Sequence, residues 1–244
     1  LFFCFFGNLF FNKIDMMNLD SMNLPEIVKK WLHSCGAMEC KSYSKVKIGQ
    51  KAYMKLKPTQ KEWFVATAKQ VSVIDVPAFE WNVKMKMNPL MWVSGRDTFV
   101  GGRGHMVIKL FSFFKIVNAA GGKIDEGTMQ RYLGEMVWMP ALALSPYITW
   151  EKIDDLSARA TMDYMGTTGS GVFHFDRDGN FMKFVAMRFR GNEKGSVRCE
   201  WVLTVKEHAR FEGVKIPSRM EATWMLEEGP WTWLQLEIKG LSFE

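Results

Sequence analysis

Over much of its length the chain alternates single apolar and single polar residues. Between Glu80 and Met87, the residues Trp81, Val83, Met85 and Met87 alternate with Glu80, Asn82, Lys84 and Lys86. A period of two is what a half-buried strand requires, because successive side chains leave it on opposite faces. The same period groups Trp201, Leu203 and Val205, then Met220, Ala222, Trp224 and Leu226, then Thr232, Leu234, Leu236 and Ile238. Turn formers separate such runs at short intervals, among them Pro77, Asn88-Pro89, Gly101-Gly102, Asp178-Gly179, Gly191-Asn192 and Glu228-Gly229-Pro230. The pattern predicts about ten or eleven strands in an antiparallel meander and excludes a βαβ rhythm.

In two places the period lengthens to that of a helix. Leu24, Ile27, Val28, Trp31 and Leu32 form one apolar stripe, with Asn23 as N-cap, Pro25 in the first turn, Glu26 in the capping-box position and Gly36 as the stop. Met129, Tyr132, Leu133, Met136 and Val137 form a second stripe, capped by Asp125 and ended by Pro140, so an amphipathic helix is expected to cover the sheet. The ALALSPY segment after it reads as a loop or short turn. The predicted class is therefore mainly β: one curved antiparallel sheet or half-barrel with two main helices, one of them on the concave side.

Composition adds limits. A chain of 244 residues, 48% apolar and 24% charged, has enough apolar residues for one sizeable β domain, assigned to 24–244. Residues 1–23 hold the aromatic run LFFCFFGNLFF, which is too short to span a bilayer and reads as the remnant of an anchor or signal segment, or as a docked arm. Ten tryptophans exceed what a small core needs, which suggests that some rings line a ligand-facing surface. The net charge of +6 is concentrated: residues 29–69 carry ten lysines, no arginine and only Glu39 and Glu62. This basic stretch is a solvated sheet face or a peripheral contact for an anionic membrane, whereas nucleic acid is not expected as a partner because the bidentate arginine fork is missing. Cys4, Cys35, Cys40 and Cys199 match no zinc spacing and read as free thiols, with a Cys35–Cys40 bridge the alternative.

No catalytic, metal or cofactor motif survives inspection, and no cofactor is expected. Asp176-Arg177-Asp178-Gly179 lacks the glycine and the final glutamate of a calcium loop and reads as a hairpin turn. Gly166-Thr-Thr-Gly-Ser-Gly171 has no following lysine and reads as a turn rather than a phosphate loop. The candidate site residues are polar groups that could meet near the second helix: Arg131 and Glu135 at i, i+4 with Trp138 nearby, and Arg96 and Asp97 in a strand-like run. His174 alternates against Phe173 and Phe175 and points either into a cavity or to water.

The segments LPEIVKKWL, VPAFEWNVKM, NPL, SGRD, DEGTMQRYLGEMVWMP, TWEKIDDLSARAT and GVFHFD together resemble a bacterial family of uncharacterised proteins, over nearly the whole chain after Asn23. The most specific run holds Arg131, Tyr132, Leu133, Glu135, Trp138 and Pro140. The resemblance implies a many-stranded half-barrel with helices in its concavity, similar to lipoprotein carriers, and an expected setting at the cell envelope or a membrane. Two functions follow as expectations. The first is the binding or carriage of a lipid or other amphipathic small molecule in an aromatic- and Met-lined concavity, with Arg96, Asp97, Arg131, Glu135, Trp138 and His174 as contacts. The second is an enzyme with a small charged site made of Arg96, Asp97, Arg131 and Glu135.

Overall fold

The alternating segments pair into one layer. In the computed structural model, which describes Leu19 and residues 23–244, thirteen strands form a single antiparallel sheet. The anchor or arm expected for 1–23 lies outside the described residues, except at Leu19 and Asn23. Strands β1 (Lys45–Met54), β2 (Phe64–Val73), β3 (Ala78–Asn88), β4 (Met91–Val100), β5 (Arg103–Leu110) and β6 (Phe114–Ala120) form one meander. Strands β7 (Ile148–Lys152), β8 (Ser157–Tyr164), β9 (Thr167–Phe175), β10 (Phe181–Phe189), β11 (Arg198–Phe211), β12 (Val214–Leu226) and β13 (Gly229–Phe243) form the other. The two join along β1 and β13, where Val46 faces Phe243 and Met54 faces Leu234, so β6 and β7 become the outer edges. Thirteen strands exceed the number expected because β4 and β6 bury few side chains completely, which leaves their alternation faint.

Helix α1 (Glu26–Ser34) buries the predicted stripe of Ile27, Val28, Trp31 and Leu32. Its N-terminus differs from expectation: the cap position is Pro25, whose carbonyl accepts from the amides of Val28 and Lys29, and no side chain caps the helix. Its C-terminus is as read. Gly36 adopts φ +77°, and the amides of Gly36 and Ala37 return to the carbonyls of His33 and Leu32, which satisfies two free carbonyls of the last turn. Cys35, Cys40 and Cys199 are free thiols, and burial pushes the Cys35 thiol up to about 11.

Helix α2 (Gly122–Gly134) links β6 to β7. Because those strands are opposite edges, the connection has to cross the sheet, and it does so through the concavity. Asp125 does not cap the helix, which begins three residues earlier; its carboxylate instead accepts from the amide of Gly104 at 2.8 Å and from Arg103 Nη1 at 2.9 Å, tying α2 to β5. Beyond Gly134 the chain tightens into 3-10 turns at Glu135–Trp138 and Pro140–Leu144. The helix is not the amphipathic cover its stripe suggested, since Asp125, Thr128 and Gln130 are buried together with Met129, Tyr132 and Leu133. Both arms of the sheet enclose it, and they meet where Thr167 Oγ1 donates to the Gly102 carbonyl at 2.7 Å.

Glycine makes this enclosure possible. A Cβ at Gly104 would stand 2.2 Å from Thr128 Oγ1, and one at Gly171 would stand 2.1 Å from the Phe184 ring. The Gly166–Gly171 segment is therefore a turn only at Gly166, and the remainder is strand β9, its missing side chains leaving room for α2 and Phe184. The packing around α2 is solid: Tyr132 stacks on Phe79 at 6.3 Å and tilts against Phe99 at 5.8 Å, and Phe173 meets Phe184 edge-on at 4.8 Å. Each such ring, fully buried, contributes about 1.5–3 kcal/mol.

Candidate functional site

Three of the four predicted charges come together. Arg131 Nη1 donates to Asp97 Oδ2 at 2.6 Å, its Nε donates to Glu135 Oε1 at 2.7 Å, and its Nη2 reaches Gln70 Oε1 at 3.2 Å. Gln70 Nε2 in turn donates to Glu135 Oε2 at 2.7 Å. The guanidinium lies 4.9 Å from the Phe79 ring centroid and 4.8 Å from that of Trp81. Burial disfavours the Arg131 cation, but Glu135 and Asp97 outweigh that effect and raise its pKa. The arrangement is a nearly saturated knot that fastens α2 to β2 and β4; only Asp97 Oδ1 lacks a partner among the described residues.

Arg96 does not join it. Neighbouring strand residues face opposite ways, so Arg96 points outward and pairs with Glu80 at 2.5 Å, and the four-charge site expected for an enzyme is not assembled. His174 lies on the face opposite the buried Phe173 and Phe175, where burial and Lys183 lower its pKa; it does not look into the concavity. Trp138 is buried beneath the sheet and donates from Nε1 to the Pro217 carbonyl at 3.0 Å.

A group the sequence reading missed lies on the same concave side. Phe184, Ala186 and Arg188 share one face of β10, and Phe184 and Ala186 are buried, so Arg188 also points inward. Its Cζ stands 4.1 Å from the Trp201 ring centroid and 5.8 Å from that of Trp224. Trp201, Trp224 and Trp231 are direct cross-strand neighbours on β11, β12 and β13, and Arg190 lies 5.4 Å over Trp231. Among the described residues Arg188 has no carboxylate partner, and its Nε, with the indole N–H groups of Trp201 and Trp231, finds no acceptor. Burial first and Arg131 second push its pKa down to about 10, against the pull of Asp97, Glu135 and Glu126. Gly127 of α2 gives it room, since a Cβ there would lie 3.3 Å from Arg188 Nη2. The signal that identifies it is plain in retrospect: an arginine in the inward register of a strand whose other inward residues are Phe and Ala.

The lining beside this group is less tightly covered than the core around Tyr132. Tyr132, Phe173 and Phe184 are fully covered, whereas Trp231 and Trp233 are only half-buried. Two surface clefts lie elsewhere, one of about 450 Å³ between α1 and Asp155, Leu156 and Arg177, the other of about 440 Å³ along β2 and β3 near Pro89 and Trp92.

Among the described residues no helix is long and apolar enough to cross a membrane. The architecture is similar to that of a LolA superfamily protein from Nitrosomonas europaea, at 8% identity and a TM-score of 0.46, covering 89% of this chain and 92% of that one. It is also similar to a beta-barrel-like protein of the domain of unknown function DUF1849 from Brucella abortus, at 6% identity and a TM-score of 0.34, covering 84% of this chain and 100% of that one. No curated protein matches the chain. The model of the family of unknown function DUF6920 matches residues 22–243, nearly everything described above, and the chain belongs to that family.

Proposed function

We propose that the protein binds a small amphipathic molecule with an anionic head on its concave side, next to α2. The observation that carries this reading is Arg188: an inward guanidinium stacked on Trp201, with no carboxylate partner and with unpartnered N–H donors around it. A half-buried guanidinium with no carboxylate in contact is costly, and an oxygen anion accepting from Arg188 Nε and the Trp201 indole would offset that cost. The apolar part of the ligand would lie along Trp231, a half-buried ring that pairs across the strands with the buried Trp224. Arg131, Asp97 and Glu135 play a supporting part here: they hold α2 in place as one wall. The cell envelope, rich in anionic amphiphiles, is the setting in which such a protein would work.

The test is titration of the purified, delipidated chain with a dansyl-labelled fatty acid, with native mass spectrometry to find copurifying ligand. Binding is expected to weaken at least tenfold in Arg188→Leu, in line with the roughly 1.5–3 kcal/mol of a hydrogen bond to a charged group, and to be unchanged in Arg96→Leu. Equal affinity of Arg188→Leu and the parent chain would remove the head-group assignment, and no binding by either would remove the carrier reading.

A further inference from the structure

Successive loops of a meander alternate between its two ends, so the β1–β2, β3–β4 and β5–β6 turns stand in a row at one end of the first arm. The β3–β4 and β5–β6 tips are apolar where a solvated turn would be polar, and the polar β1–β2 tip adds Leu56. Leu90 is 84% exposed, Phe113 67% and Phe114 59%, with Leu56, Trp92 and Ile116 also exposed. The aromatic rings form a continuous cluster: Trp92 meets Phe111 at 5.2 Å, Phe111 meets Phe113 at 6.3 Å, and Phe113 meets Phe114 at 4.4 Å. Trp92 Nε1 donates to Ser112 Oγ at 3.2 Å, joining the two turns. Phe111 and Ser112 hold φ of +52° and +67°, where glycine or asparagine costs least, so the turn keeps a large ring at a position that disfavours it.

Positive charge surrounds the apolar tips. Segments 55–63, 86–92 and 109–115 contain Lys55, Lys57, Lys61, Lys86, Lys109 and Lys115 against one acid, Glu62, a net +5. A second copy of the chain would bring the same charge to the contact and be repelled. The stretch has no arginine, and its most exposed residues are leucine and phenylalanine, which does not suit base or phosphate reading. An anionic bilayer suits both features, because its acyl region takes up the apolar tips while its headgroups attract the lysines at about 1 kcal/mol each.

We propose that these three hairpin tips dock the protein on an anionic lipid bilayer, with Leu90, Phe113 and Phe114 inserted below the headgroups and the surrounding lysines at headgroup level. This places the membrane contact at one end of the sheet and not across the whole basic stretch 29–69, where Lys47, for example, is paired with Glu244. The proposal is independent of the ligand site on the concave side.

The experiment is vesicle flotation of the full chain with phosphatidylcholine alone and with one quarter phosphatidylglycerol, followed by Trp fluorescence. The expected result is partition into the anionic vesicles only, a blue shift of the emission, and loss of binding with added salt. The Leu90→Ser, Phe113→Ser, Phe114→Ser triple variant should bind at least tenfold less, and Lys57→Gln about fivefold less, the factor that ~1 kcal/mol per lysine implies. Because all three apolar positions are exposed, circular dichroism should show the triple variant folded like the parent. Full binding by the folded triple variant, equal binding to neutral vesicles, or a parent dimer that the triple variant converts to monomer would each overturn the proposal.

Discussion

Arg131 shows how a single residue can look like a catalytic group and act as a fastener. Its guanidinium holds Asp97, Glu135 and Gln70 at once, and its side chain is 14% exposed. Replacing it with leucine would leave two carboxylates buried without their cation, a change that typically costs about 3–5 kcal/mol. Arg131→Leu is therefore expected to lower the urea midpoint sharply, whereas Arg96→Leu, which breaks an exposed pair with Glu80, should move it by less than about 1 kcal/mol. Equal midpoints for the two variants would show that the knot does not fasten α2. Which of the adjacent residues 96 and 97 faces inward was written in the period of two, but whether the inward one met a partner was not.

At the scale of elements, the stability of α2 depends on how closely the strands approach it. Gly104 of β5 leaves space for the helix that no other residue would: its added Cβ would meet Thr128 Oγ1 at 2.2 Å and the Ile124 carbonyl oxygen at 2.7 Å, and the second of these is backbone that cannot rotate away. Gly104→Ala is expected to destabilise the fold by about 1–3 kcal/mol. Gly195→Ala, with no atom within 4 Å of its added Cβ, should stay within about 0.5 kcal/mol. Thermal unfolding of the two variants side by side is the check, and a neutral Gly104→Ala would mean that β5 and α2 can separate freely. The apolar stripe of α2 was legible in the sequence, but the burial of its polar side was not, because that follows from a connection forced to cross between two distant edges.

At the scale of the whole molecule, the seam between β1 and β13 joins residues almost a full chain apart, and it lies at the centre of the sheet. Central strands can open only when the sheet comes apart, whereas the outer strands β6 and β7 fray locally. Hydrogen exchange should therefore find amides of Ile48 and Ala52 among the slowest in the protein and those of β6 and β7 among the fastest. Comparable rates at the seam and the edges would indicate that the two arms open independently. The slow seam also implies slow folding, since long-range pairings pay their loop-closure entropy before they gain contacts.

The sequence by itself determined most of the strands, the two helical stripes, most turns and the alternation of faces along the clearly patterned strands, because each follows from side-chain geometry over a few neighbouring positions. It also carried the family resemblance that matched the half-barrel. The tertiary structure alone decided the order of strands, the enclosure of α2, the meeting of Asp97 with Arg131 and the meeting of Arg188 with Trp201. Those depend on contacts between residues distant in the chain, where closeness is set by how the sheet curls and not by any local period.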